Sequence, residues 1–382
     1  MMLRIAALFS ILICSTGWAV GQSTWVVDAL NGPGTHFTNL PPAVAASSPG
    51  DVILIRYVPP TVAIYDGAQI WHGLTIAGIG GKAPIQGVLR VDLLPADQHL
   101  ILRDLHMGPF TGAGTAGNGQ IHSFDNQGSV HLQGILRDTT NAPGLVWWNF
   151  VNTELVTLTN CEFHTLSLYH AVTFRNCDLV TLHGCRFEQA FGGSSTYSIE
   201  NSRVVMLNSE LLGQPPGGLL SGSTPLQITD STLEVGGTSN IDSGSLTPIL
   251  ASGTNQIRVG PNASVGATTA PWLPGTVTTM GAYIDPTGLL QIDVVGAPNG
   301  LGVLSLGEPS NAPVPLFGDT YFLDVPSVVV FGLALLDNNG AGSFQATFQP
   351  TVPSGLNLWL QSVVLSPNFA FQLTTPSVVT SP

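Results

Sequence analysis

Charge is the first thing this sequence lacks. Only 9% of its 382 residues are Asp, Glu, Lys or Arg, against roughly 25% in an ordinary soluble domain. Lysine occurs once, at Lys82, and no Lys or Arg follows Arg258. With a net charge of −13, nucleic acid and anionic membranes are poor partners, because both select clustered positive charge. Long apolar runs are also missing. The longest N-terminal one, Ile5 to Cys14, falls short of the roughly 20 residues that span a bilayer. Cysteine is scarce: of four in the chain, Cys161, Cys177 and Cys185 are the ones beyond the N-terminal segment. An odd set of three within 25 residues excludes a disulfide-dense scaffold. What is abundant is Gly (44), Pro (28) and apolar residues (44%). That balance suits a turn-rich all-β protein whose surface is built from Ser, Thr, Asn and Gln.

The N-terminus reads as an export signal. Arg4 supplies a positive start, 5–14 the apolar core, and Ala19-Val20-Gly21 the small residues of a cleavage site. Residues 1–21 are therefore expected to be removed. The mature chain is expected outside the cell or on its surface.

An internal repeat dominates the middle. Val156-Thr-Leu-Thr-Asn-Cys-Glu-Phe163 fits a template of apolar, any, apolar, any, Asn/Gly/Asp, small, any, apolar. Val180–Phe187, Val204–Leu211 and Leu226–Leu233 fit it too, with starts 24, 24 and 22 residues apart. Looser copies begin at Val52, Leu74, Leu100, Val130 and Ile257, and a second series runs through Val172 and Tyr197. Such a period with short alternating strands is the signature of a parallel β-solenoid, in which stacking buries what no single coil can. About nine coils are expected. Alternation places Val156, Leu158, Cys161 and Phe163 inside and Thr157, Thr159 and Glu162 outside.

The columns of the template have physical readings. Asn160, Gly184, Asn208 and Asp230 are residue types that tolerate left-handed backbone, so each is expected at a sharp corner. Stacked Asn side chains there can bond along the column. Cys161, Cys185, Ser209 and Ser231 form a small inward column. Coil spacing allows a Cys161–Cys185 disulfide without requiring one. The spacings contain no metal-ligand motif, and no metal or cofactor is expected. The next column, Glu162, Arg186, Glu210, alternates in charge, and His164 stacks beside Glu188. This ladder reads either as weak surface ion pairs or as a polar strip for a polysaccharide. Trp147 joins it as a candidate sugar platform, since alternation buries one residue of Trp147-Trp148 and exposes the other.

The stretch "STWVVDALNGPGTHFTNLPPAVAASSPGDVILI" (23–55) opens the solenoid. It resembles the start of secreted bacterial right-handed β-helix proteins of the pectate-lyase-like superfamily: strand, Gly-rich turn, capping helix, "PGD", strand. "YDGAQIWHGLTIAGIGGKAPIQG" resembles their second coil. The resemblance implies a right-handed parallel β-helix over 22–265, with a helix capped at Thr38 or Asn39 and ending near Ser47. The catalytic patterns common in that superfamily are absent. Arg103, Arg175, Arg186 and Arg203 sit in no acidic cluster of the expected kind, and Lys82 lies in a Gly-rich turn.

Residues 266–281 read as a linker by composition. Beyond it, strands near ten residues apart, with turns at Asp285–Gly288, Pro298–Gly300 and Asp337–Gly340, suggest a β-sandwich over 282–382. Asp337-Asn-Asn-Gly340 reads as a hairpin turn, since a Ca²⁺ loop needs further acidic ligands. Leu358-Trp-Leu-Gln361 and Leu365-Ser-Pro-Asn-Phe369 resemble a terminal module common in secreted environmental bacteria. The expected function is a non-catalytic surface, adhesion or polysaccharide-binding scaffold. The alternative is a polysaccharide lyase or glycoside hydrolase with an atypical site.

Overall fold

The computed structural model describes residues 22–108, 119–138, 148–165, 172–189, 197–213, 226–242, 248–266, 268–269, 271–285, 288–316, 319–347 and 357–380. The chain is all-β: a parallel β-solenoid of about eight turns, followed by antiparallel sheets. No helix among the described residues is long and apolar enough to cross a membrane.

Each full coil contributes a strand to three parallel faces. The first face stacks Thr24–Val27, Val52–Arg56, Thr75–Ile79, His99–Arg103, the end of Gln120–Gln133, the end of Trp148–Thr159, Leu179–His183, Arg203–Leu207, Thr232–Gly236 and Gln256–Val259. The second is a nine-stranded ladder from Tyr65–Asp66 to Ser264–Val265, carrying Glu162–Thr165, Arg186–Gln189 and Glu210–Leu212. The third runs from Gln69–Ile70 to Ile249–Ser252.

Inward residues form the expected core. Val156, Leu158, Cys161 and Phe163 are completely buried. Aromatic rings stack from coil to coil, with Phe150 on Phe174 at 5.4 Å and Phe163 near Phe187 at 6.3 Å. Leu40–Ala46 forms the capping helix. Asn39 Oδ1 accepts from the Leu40 N–H, and Leu40, Ala43 and Val44 plug the first coil. A covered end removes an edge that would otherwise pair with other chains.

The corners follow one rule, in two columns where the repeat suggested one. Asn160, Gly184 and Asn208 turn the first face into the second. Asn152, Asn176, Asn201 and Asp230 turn the third into the first. All have φ between 46° and 61°. Asp230 and Ser231 thus belong with Asn201 and Ser202, not with Asn208 and Ser209. The physical reason is that Leu226–Thr229 stacks on Tyr197–Glu200, while Leu233 takes the place beside Val204. The amide ladder lies on this second corner: Asn152 donates to Asp125, Asn176 to Asn152 and Asn201 to Asn176, at 2.6, 2.8 and 3.2 Å.

The small residue after each corner has a defined task. The Cys185 N–H donates to Ser209 Oγ, and the Ser209 N–H to Ser239 Oγ. At the other corner Cys177, Ser202 and Ser231 donate in turn to Ser202, Ser231 and Asn255. The hydroxyl or thiol reaches back to the preceding coil: Ser209 Oγ to Leu182 O at 3.1 Å, Cys185 Sγ to Leu158 O at 3.3 Å. Cys161, Cys177 and Cys185 are buried free thiols. Burial pushes the Cys177 thiol up to about 11 and Cys185 well above its ordinary value. They act as small donors in a slot.

The chain continues from the last coil through Leu273–Pro274, which pairs with Arg258 and Val259, into a sandwich. One sheet holds Thr279–Ile284, Leu289–Val295 and Ala341–Thr347. The other holds Val329–Leu335, Leu301–Gly307 and Asn357–Leu365, with Phe371–Leu373 and Ser377–Thr380 sharing the free side of Asn357–Leu365. Ile292 and Val294 face Leu304, Leu360 and Val364 across the core. The turn at Asp337–Gly340 is not a hairpin. It carries the chain from one sheet to the other, because Leu336 is buried in the sandwich core.

Candidate functional site

The sandwich lies on the outer side of the first face. Ile101, Leu155, Leu179 and Val205 of the coils pack against Val277, Tyr321, Leu323, Trp359, Leu373 and Val378. Thr157 and Thr159, expected to be exposed, are 4% and 5% accessible, and Thr181 and His183 are similarly covered. Alternation placed them outside the coil correctly, but a second domain sits there. His183 Nε2 lies 3.2 Å from Asp293 Oδ2, which also accepts from Asn208. Burial opposes ionisation of Asp293, but hydrogen bonds from His183, Gln291 and Asn208 hold it below its ordinary range.

The interface encloses a polar relay. Ser129 Oγ is 2.7 Å from both His99 Nδ1 and His131 Nε2, and His131 Nδ1 is 2.6 Å from Thr157 Oγ1. Trp359 covers both imidazoles, with ring centroids 4.5 and 4.8 Å away. Desolvation pulls His99 down to about 4 and His131 well below its ordinary value. A serine between two imidazoles has the composition of a nucleophile and base. Here Ser129 is 5% accessible, and the adjoining space of about 50 Å³ is far below the roughly 300–1,000 Å³ of a substrate pocket. The relay ties three successive coils together beneath Trp359 of the sandwich.

A larger cleft of about 670 Å³ opens where the sandwich overhangs the corner between the first and second faces. Its floor runs from Val52 and Leu54, through Gly78 to Lys82, Arg103, Asp104 and Gly134, to Thr159, Asn160 and Glu162. Tyr283, Ile284, Asp285 and Thr380 form the wall on the sandwich side. Glycine gives the floor its depth. A Cβ on Gly134, whose φ is +61°, would stand 2.7 Å from Asp104 Oδ1. The cations are tied in place. Lys82 Nζ donates to Gly134 O. Arg103 Nε bonds Asp104 at 2.9 Å, and its Nη1 donates to Thr380 O at 2.7 Å.

Glu162 is also the first step of the ladder expected on the second face. The register is Glu162, Arg186, Glu210 in one row and His164, Glu188 in the next. Arg186 lies 3.3 Å from both Glu188 and Glu210, and His164 3.4 Å from Glu188 and 3.8 Å from Glu162. These side chains are about a third to a half exposed. Such pairs contribute little stability, which leaves them available to a ligand. Trp147 lies outside the described residues. Its neighbour Trp148 is buried, edge-on to Phe163 at 5.2 Å.

The cleft joins coils two to six with the sandwich, and no local motif announces it. Lys82 and Arg103 stood out by type alone, while Tyr283 and Asp285 lie in an ordinary strand and turn. Among the described residues, no group of three or more His, Cys, Asp and Glu side chains converges as a metal site would require. Comparison with protein-family models and with curated proteins finds no match to this chain.

Proposed function

We propose that this chain is a secreted, non-catalytic β-helix protein of the pectate-lyase-like superfamily, acting outside a bacterial cell as a polysaccharide-binding scaffold. The observation that carries the reading is the continuity of the cleft with the ladder. From Val52 to Asn160 the cleft crosses five successive coils. At about 4.8 Å per coil its floor is about 19 Å long. Beyond Glu162 the ladder adds Arg186 and Glu210 on the next coils. A long open track, largely apolar in the cleft and charged along the ladder, suits an extended polymer better than a compact metabolite. Export and superfamily membership rest on residues 1–21 and on the strand–helix–"PGD" opening at 23–55.

The non-catalytic part rests on the state of the reactive groups. Lys82, Arg103 and Arg186 are engaged in hydrogen bonds or ion pairs. Of the two depressed imidazoles His131 is fully buried and His99 lies largely covered by Trp359, and the three thiols are buried. The test is to incubate the mature protein with a panel of polysaccharides and follow retention, unsaturated ends and reducing ends. Binding without end release is expected. Turnover that disappears in Lys82→Ala or Arg103→Ala would establish the enzyme reading instead.

A further inference from the structure

We propose that the cleft takes an uncharged linear glycan, and that the C-terminal domain supplies half of the site by presenting Tyr283 and Asp285 to it. This rests on the polysaccharide-binding reading and narrows it to a ligand class and a location.

Charge decides the class. Lys82 and Arg103 face Asp104, Glu162 and Asp285 in the lining, so carboxylates outnumber cations. Both cations are engaged within the protein, Lys82 with Gly134 O and Arg103 with Asp104 and Thr380 O, and keep further N–H donors. At the ladder, Arg186 is held between Glu188 and Glu210. A polyuronate would have to compete with Asp104, Glu188 and Glu210 for these cations while approaching a chain of net charge −13, at a cost that grows as salt is lowered. Hydroxyl groups face no such conflict. They donate to carboxylates and to backbone carbonyls, and accept from the ammonium and guanidinium groups, without displacing a charge.

Shape and origin decide the location. Among the described residues Tyr283 is the one aromatic side chain in the lining. Its ring packs against His183 at a centroid distance of 6.0 Å, which fixes its position. A fixed phenol offers an apolar face to a sugar ring and a polar edge to its hydroxyls. Asp285 follows on the same strand end, and its Oδ1 accepts from the Leu289 N–H to close the hairpin. Opposite them the floor at Gly78, Gly80, Gly81 and Gly134 has no side chains, leaving room for a ring between floor and wall.

Isothermal titration of the full chain tests this with three soluble probes: neutral β-glucan or xylan oligosaccharides, oligogalacturonate, and chitosan oligosaccharides. Neutral probes should bind with affinity flat between low and high salt. Tyr283→Ala and Asp285→Asn should each weaken them at least tenfold, and Arg175→Gln with Glu200→Gln, an exposed ion pair on the third face away from the cleft, by less than threefold. Asp285→Asn keeps the Oδ1 acceptor, so it reports even if Tyr283→Ala misfolds. Preferred binding of the uronate or the amino-sugar probe overturns the ligand class. Neutral binding indifferent to Tyr283 and Asp285 but lost on changing Arg186 and Glu210 overturns the location, while the general polysaccharide-binding reading stands. Binding of none of the three refutes both.

Discussion

Acid should loosen the join between solenoid and sandwich before it unfolds anything else. His99 is neutral in the native protein because burial under Trp359 drives its value from 6.5 down to about 4. Asp97 pulls the other way but does not compensate. In the unfolded chain the imidazole recovers its ordinary value and takes up a proton between pH 6.5 and 4, while the native form does not. Unfolding is therefore favoured progressively as pH falls through that window. At 1.36 kcal/mol per pH unit the gap corresponds to about 3 kcal/mol, and His131 moves the same way. Against a total stability of about 5–15 kcal/mol this is a visible slope. The carboxylates held low, Asp28, Asp51 and Asp293, act in a separate window. Their contribution is present above 3.8 and fades below it, so the two effects separate on the pH axis. Urea denaturation followed by tryptophan fluorescence at pH 7.5, 6, 5 and 4 measures the slope. His99→Asn keeps an acceptor near the Nδ1 position without a titrating ring, and should flatten the curve by about 3 kcal/mol. A wild-type midpoint constant from pH 7.5 to 4, or an unchanged slope in the variant, would refute the account.

Further outcomes can be measured on the same protein. Trp359→Ala should cost about 3–5 kcal/mol and increase hydrogen exchange at first-face amides near His99 and His131. Cys161→Ser with Cys185→Ser should leave the far-UV spectrum unchanged and stability within about 1 kcal/mol, because hydroxyls fill the same slot at Ser209. Cys185→Val should cost more than the serine change, because it overfills the slot and leaves the Leu158 carbonyl without its donor. Asn176, at φ 52° in the amide ladder, should tolerate Gly better than Ala by about 1 kcal/mol, read from denaturation midpoints, because only Ala adds the left-handed backbone penalty.

Much of the solenoid was legible because its signal is redundant. Each coil repeats inward apolar residues, a corner and a small slot, so errors at one coil are corrected by its neighbours. The slip at Leu226 shows the limit. Both corners use the same apolar–corner–small pattern, and a 22-residue step resembles the 24-residue period closely enough to hide a change of face. The Glu162, Arg186, Glu210 ladder was legible because parallel in-register stacking turns sequence period directly into spatial contact. The covering of Thr157, Thr159 and His183 was not. Alternation reports which side of a strand a residue occupies, not what lies beyond it. The cleft was hidden for a similar reason, since its members run from Val52 to Thr380 and meet through docking between domains. Gln361 shows the same limit at smaller scale. Its amide donates to Thr320 O and Thr374 O and accepts from the Phe322 N–H, tying neighbouring strands together, which a short motif near a C-terminus does not reveal.

The serine and cysteine slots make the solenoid a ruler. Ser202, Ser209 and Ser231 each face one way along the axis, receiving an N–H from the preceding coil and passing their own to the following one. A coil inserted or deleted between two such residues leaves every remaining connection with the same kind of neighbour. The axis can therefore change length only in whole graduations of about 4.8 Å. Anything held along it, whether ligand or docked domain, is matched in that unit. Gain of a single coil between Thr75 and Arg103 would move Thr75 one mark relative to Asn357 while leaving Arg103 against Thr380. The spacing of the two domains is thus counted in coils.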